Sequence, residues 1–257
     1  MEAIRRKLPE YDYLYLGDNA RAPYGPRSFD VVYEFTRQAV QRLFEMGCHL
    51  VVLGCNTASA KALRTIQQVD LPQWDPERRV LGIIRPTAEV IGSLTVSRHV
   101  GILATEGTVK SGSYSMEINK LHPDIVVTGE ACPFWVPLVE YHESDSPGAD
   151  YFVKKNIDAI MAKDPLIDTL ILGCTHYPLL LPKIRKYLPA GVKAIPQGEY
   201  VADSLQDYLS RHDEIRKNCS RGGSAHYLTT ENPDDFKEHA QIFLHEPVVV
   251  ENITLGN

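Results

Sequence analysis

The chain of 257 residues has no apolar run long enough to span a bilayer. Its opening, "MEAIRRKLPEYDYLYLGD", has no signal-peptide apolar stretch either, so neither a membrane span nor a leader is expected. There is no long block of Lys and Arg, and 27 basic against 33 acidic residues leave a net charge of −6. Nucleic-acid binding needs clustered positive charge and is not expected here. Cysteines are few and odd in number (Cys48, Cys55, Cys132, Cys174 and Cys219), with no CxxC pair. That argues against a disulfide framework and for reduced thiols in a cytoplasmic protein. Short-period repeats and low-complexity segments are absent as well.

What is present is ordinary globular material, 44% apolar and 23% charged, enough for a sizeable core. Strand-like runs alternate with helical patterns. Strands are expected at 11–18, 49–54, 79–84, 99–105, 124–130, 168–173 and 192–195. Helices are expected at 28–47, 57–68, 87–94, 108–121, 147–162, 178–188 and 199–211. The tail adds a helix at 234–244 and a strand-like 247–252, while 142–150 and 220–225 read as loops. This alternation predicts an α/β fold: two similar open parallel-sheet domains with helices on both faces and an active site in the cleft between them. The expected division is 1–93 with 197–257 as one domain and 94–196 as the other.

Two apolar runs end alike, "LGCNTASA" at 53–60 and "LGCTHYPL" at 172–179. Ligands of open α/β sheets sit at the carboxyl ends of strands, where Cys55 and Cys174 fall. The following Asn56-Thr57 and Thr175-His176 would open loops or helices whose free N–H groups favour anions and lower a thiol pKa. A lone strand-end cysteine is ordinarily a small buried hydrophobe, and Cys48, Cys132 and Cys219 are read that way. Two matched copies point further. Inverting a carbon stereocentre needs a base on one face and an acid on the other, and opposed thiols can exchange those roles. Zinc held by Cys55, Cys174 and His176 is a competing reading.

The segments "GDNARAPYGPRS" (17–28), "CNTAS" (55–59), "ATEGTVKS" (104–111), "ACPFWVPLVE" (131–140) and "GCTHYPLL" (173–180) together resemble the glutamate racemases of the aspartate/glutamate racemase superfamily. The resemblance implies cofactor-independent interconversion of L- and D-glutamate, supply of D-glutamate for peptidoglycan, and a homodimer. By resemblance Cys55 acts on D-glutamate and Cys174 on L-glutamate, with His176 assisting Cys174 and Glu140 nearby. Tyr24, Gly25, Asn56, Thr57, Thr175 and His176 match substrate-binding positions, and Thr105 and Thr108 add hydroxyls or cap the helix after them. The resemblance thins over "IPQGEYVADS" (195–204). The family normally opens with a strand leading to Asp-Ser-Gly, and no such motif precedes Tyr11 here. The expectation is of a truncated chain lacking a central strand, poorly soluble or molten and weakly active. A non-catalytic relative that retains an amino-acid cleft is the alternative reading.

Overall fold

The computed structural model describes residues 1–244 and 248–256. In chain order the elements are α1 (Glu2–Lys7), β1 (Tyr13–Gly17), α2 (Phe29–Glu45), β2 (Leu50–Leu53), α3 (Asn56–Lys61), α4 (Leu63–Thr65), α5 (Leu71–Trp74), β3 (Arg79–Gly82) and α6 (Ile84–Leu94). They continue with β4 (His99–Ala104), α7 (Glu106–Ser111), α8 (Ser113–Leu121), β5 (Val126–Ala131), α9 (Trp135–Glu140), α10 (Pro147–Lys163), β6 (Thr169–Gly173), α11 (Leu181–Tyr187) and β7 (Lys193–Ile195). The last are α12 (Gly198–Arg211), α13 (Asp213–Arg216), β8 (Ala225–Thr229), α14 (Pro233–Leu244) and β9 (Val250–Asn252). The fold is α/β, as the alternation predicts, and every strand pair is parallel.

One sheet runs β5-β4-β6-β7. Its central strand β6 is buried at all five positions, because both faces are covered. Leu170 and Leu172 face a core completed by Val153, Ile157 and Ile160 of α10, whereas Ile171 faces the opposite core with Ile91 of α6 and Ile118 of α8. α10 begins where Ser146 caps Ala149 N–H and Pro147 occupies the first turn. The period-3.6 spacing of its apolar residues then lays one face on the sheet.

The remaining strands form two shorter sheets, β1-β8-β9 and β2-β3. Among the described residues β1 and β2 are not paired with each other, and each keeps one unpaired edge. Both belong to the same layers. Leu14 and Leu16 pack with Val51 and Leu53 under α2, while Tyr13, Leu50, Val52 and Leu81 pack with Leu205 and Leu209 of α12. α2 starts at the Ser28 cap and buries Val32, Thr36, Val40, Leu43 and Phe44. The chain leaves it through Gly47, whose φ of 93° is the left-handed conformation glycine accepts without strain.

Three expectations need correction. Residue 225 was expected in a loop but begins β8, which pairs with β1 in register Tyr13–Ala225 through Gly17–Thr229. Only Tyr227 and Leu228 of that strand are large and apolar, too little for a periodic signal. The helices α9 and α13 are six and four residues long, below the length at which periodicity is readable. The helix expected at 57–68 is broken into α3, α4 and a π-helical turn at Ile66–Asp70. The final strand spans Val250–Asn252, and Pro247, the first residue of the expected 247–252 run, lies outside the described residues.

Candidate active site

Cys55 lies two residues past β2 and caps α3, its Sγ accepting from Ala58 N–H at 3.5 Å. Burial pushes its thiol pKa up, and negative charge on Cys174 pushes it further, against the opposing pull of the Ala58 and Thr57 donors. The lowered thiol pKa expected from the helix start is therefore overturned: one turn of a six-residue helix does not outweigh desolvation. The coupling also places the two thiols in each other's field, although they lie 119 positions apart in the chain.

Cys174 ends β6 and is buried. Its Sγ lies 3.7 Å from His176 Nδ1, and His176 Nε2 makes a short contact with Glu140 Oε1 at the end of α9. Burial alone would lower the His176 pKa. The Cys174 sulfur on one ring nitrogen and the Glu140 carboxylate on the other overcome it and raise the value to about 10. At neutral pH the imidazolium thus bridges a sulfur and a carboxylate.

The expected binding residues converge on the same region. Asn56 and Thr57 are buried in the first turn of α3. Thr57 Oγ1 lies 2.9 Å from Thr105 Oγ1 and 3.3 Å from Thr108 Oγ1, and the latter two are 3.1 Å apart. Thr105 is also the N-cap of α7. Gly25 O accepts from Gly107 N at 3.0 Å, and a Cβ on Gly25 would meet Thr105 Cβ at 3.0 Å. A side chain there would press on Thr105, which would have to give by a few tenths of an ångström. Tyr24 donates to Asp18, which also receives Arg21 Nε at 2.8 Å. Thr175 is exposed, in contrast to its buried neighbour Cys174.

Sequence reasoning missed three participants. Gln197 and Tyr114 bond directly to Asn56, and Lys61 Nζ donates to Arg27 O beside the Gly25 turn. Gln197 lies inside the 195–204 segment, where the resemblance thins. Among the described residues no three His, Cys, Asp or Glu side chains are grouped to hold a metal, and both His176 nitrogens are engaged by Cys174 and Glu140.

The family model for Asp/Glu/hydantoin racemase matches residues 1–203. The chain belongs to the Asp/Glu/hydantoin racemase family. It is an amino-acid racemase. It is 37% identical to a glutamate racemase of Ruegeria sp. strain TM1040, over 98% of this chain and 94% of that protein. With a Streptococcus agalactiae serotype III glutamate racemase it shares 40% identity over 97% and 91%. Among solved structures, a glutamate racemase isoform from Bacillus anthracis superposes with a TM-score of 0.86 at 32% identity, covering 98% of this racemase and 91% of that chain. A Francisella tularensis glutamate racemase solved in complex with D-glutamate gives 0.87 at 26% identity, covering 99% and 92%. Among the described residues no helix is long and apolar enough to cross a membrane.

Proposed function

We propose that this racemase interconverts L- and D-glutamate by a two-thiol exchange without a cofactor, and so supplies D-glutamate for peptidoglycan. The observation that carries the reading is the pair of cysteines just past the carboxyl ends of parallel strands, with the His176–Glu140 pair beside Cys174. In the L-to-D direction Cys174 thiolate takes the Cα proton and the C–H electron pair stays on Cα. The Cys55 thiol then delivers its proton to the opposite face, leaving Cys174 as thiol and Cys55 as thiolate. The D-to-L direction runs the same steps backwards, so atoms and charges balance over both. Raised by burial, Cys55 enters the first direction protonated. The His176 cation offsets negative charge on the Cys174 sulfur, with Glu140 orienting the ring. Asn56, Thr57, Thr105, Thr108, Thr175, Tyr24 and Gly25 would bind the substrate's carboxylates and ammonium.

Residues 1–93 with 197–257 form the domain of Cys55 and residues 94–196 that of Cys174, in a cytoplasmic homodimer. The test is racemisation of each enantiomer in D2O, followed by circular dichroism and by deuterium at Cα. Each product should carry one solvent deuteron. Cys55→Ser and Cys174→Ser should each lose at least about 10³-fold in kcat, because a serine hydroxyl is too weak an acid to stand in for a thiol in this exchange. Near-parent rates in either variant would remove the two-base mechanism. Saturable glutamate binding without turnover in the parent would favour the non-catalytic reading.

A further inference from the structure

The polar groups behind Cys55 close on themselves. Asn56 Nδ2 donates to Gln197 Oε1 at 2.7 Å. Gln197 Nε2 donates to Tyr114 OH at 2.6 Å, and that hydroxyl donates to Asn56 Oδ1 at 2.6 Å. Each member gives once and receives once, so the three bonds run in one sense round a ring and polarise one another. The sense is imposed from outside. Gln197 Nε2 also lies 3.1 Å from the Ile83 carbonyl oxygen and 3.0 Å from Thr87 Oγ1, so its two hydrogens are shared among these and Tyr114 OH. A backbone carbonyl can only accept. The amide nitrogen must therefore face Ile83, and Oε1 must face Asn56. Asn56 is then obliged to turn Nδ2 to Gln197 and Oδ1 to Tyr114. All three side chains are buried, at 3% exposure for Asn56, 6% for Gln197 and 3% for Tyr114. A reversed or opened ring would leave desolvated groups unpaired.

Asn56 directly follows Cys55 and opens α3. The ring uses Oδ1 and one of its two Nδ2 hydrogens, which leaves the other. We propose that Gln197 is a positioning residue: through this closed ring it holds the Asn56 amide in one orientation, keeping an N–H for the carboxylate of the amino-acid substrate beside Cys55. The inference rests on the reading above that Asn56 binds substrate. Gln197 itself touches no reacting atom. It stands between β7 and α12, where the chain leaves the four-stranded sheet, and ties that junction to the start of α3.

Gln197→Met removes the donor and the acceptor, and Tyr114→Phe opens the same ring at another member. Each should raise KM for glutamate about five- to tenfold, the worth of one directed hydrogen bond, with a much smaller change in kcat. The double variant should be no worse than the poorer single one, because the ring opens only once. Gln197→Glu keeps the shape but can donate only when protonated, so its KM defect should shrink as pH is lowered. A second readout does not depend on turnover. The Asn56 side-chain NH2 should give two resolved, slowly exchanging proton signals in the 15N-labelled parent, and faster exchange in Gln197→Met. Turnover by the parent, with KM unchanged and only the melting temperature lowered in Gln197→Met, would overturn the proposal. If the parent does not turn over glutamate, the functional reading fails by itself. The exchange rates then decide the ring, and unchanged Asn56 exchange in Gln197→Met would overturn it.

Discussion

Cys55 and Cys174 end strands of the same kind with the same three-residue sequence, yet the strands beneath them differ. β6 lies between two partners with every residue buried. β2 has one partner, and Leu50 and Val52 are only half-buried. The chemistry at the tips differs in the same sense. Cys174 rests on a His176–Glu140 relay, whereas Cys55 meets backbone donors of Ala58 and Thr57 and the Thr57 hydroxyl. A continuous sheet supplies a rigid platform on which a charged relay can be held in register. A strand with an open edge relies more on the helix cap at its tip. The two cysteine tips are thus supported unequally.

The largest test of this contrast is mechanical. Leu172 is 1% exposed in β6, whereas Leu50 at the start of β2 is only half-buried. Leu172→Ala should cost about 4 kcal/mol of unfolding free energy, in the upper range for a fully enclosed leucine. Leu50→Ala should cost about 1–2 kcal/mol, since less area is removed from water and the site can collapse. Urea denaturation of both variants against the parent measures the difference. Equal losses would mean that β2 is as well supported as β6.

A chemical test follows at somewhat smaller scale. His176→Asn removes the relay at one tip and nothing at the other. On the two-thiol proposal, the rate that begins with proton removal by Cys174 should fall about 10²-fold, within the usual range for a positioned acid–base partner. The equilibrium constant of the reaction stays at one, so kcat/KM must fall equally in both directions. The asymmetry appears in the individual kcat and KM values and in the Cα deuterium isotope effects. Identical isotope effects in the two directions of the variant would show that the tips do not differ in this way.

The contrast also sorts what the sequence could reveal. β6 was readable because five consecutive residues are buried, and continuous apolar runs mark such strands. The two tips were readable because the Leu-Gly-Cys pattern repeats. β8 was not, since a strand with two large apolar residues leaves no period. Glu140 came from resemblance alone, because 36 positions separate it from His176. Gln197 reaches Asn56 across 141 positions, and no local pattern encodes that meeting. The Cys55 thiol was expected to be acidified because a helix start is visible in sequence and burial is not; burial decides the direction.

The smallest effect is a pH window that separates the tips. His176 is raised from 6.5 to about 10 in the folded protein. A group raised on folding binds its proton more tightly in the native state. Its stabilisation is complete below the unfolded value and is lost as pH climbs through the folded one. The His176 contribution should therefore be intact at pH 6 and decline between about 6.5 and 10. Cys55 is raised too, but from 9.0, so its loss begins only there. Between pH 7 and 9 the stability difference between parent and His176→Asn isolates the Cys174 tip. Over that range it should shrink on the order of 1 kcal/mol, discounted because the Glu140 partner is 41% exposed and screened. The same comparison with Cys55→Ala should stay flat until about pH 9 and change only above it. Urea melts at half-unit pH steps would resolve the two onsets. A His176 difference that grows with pH, or a Cys55 difference that begins below pH 8, would reverse the assignment of the charged relay to one tip.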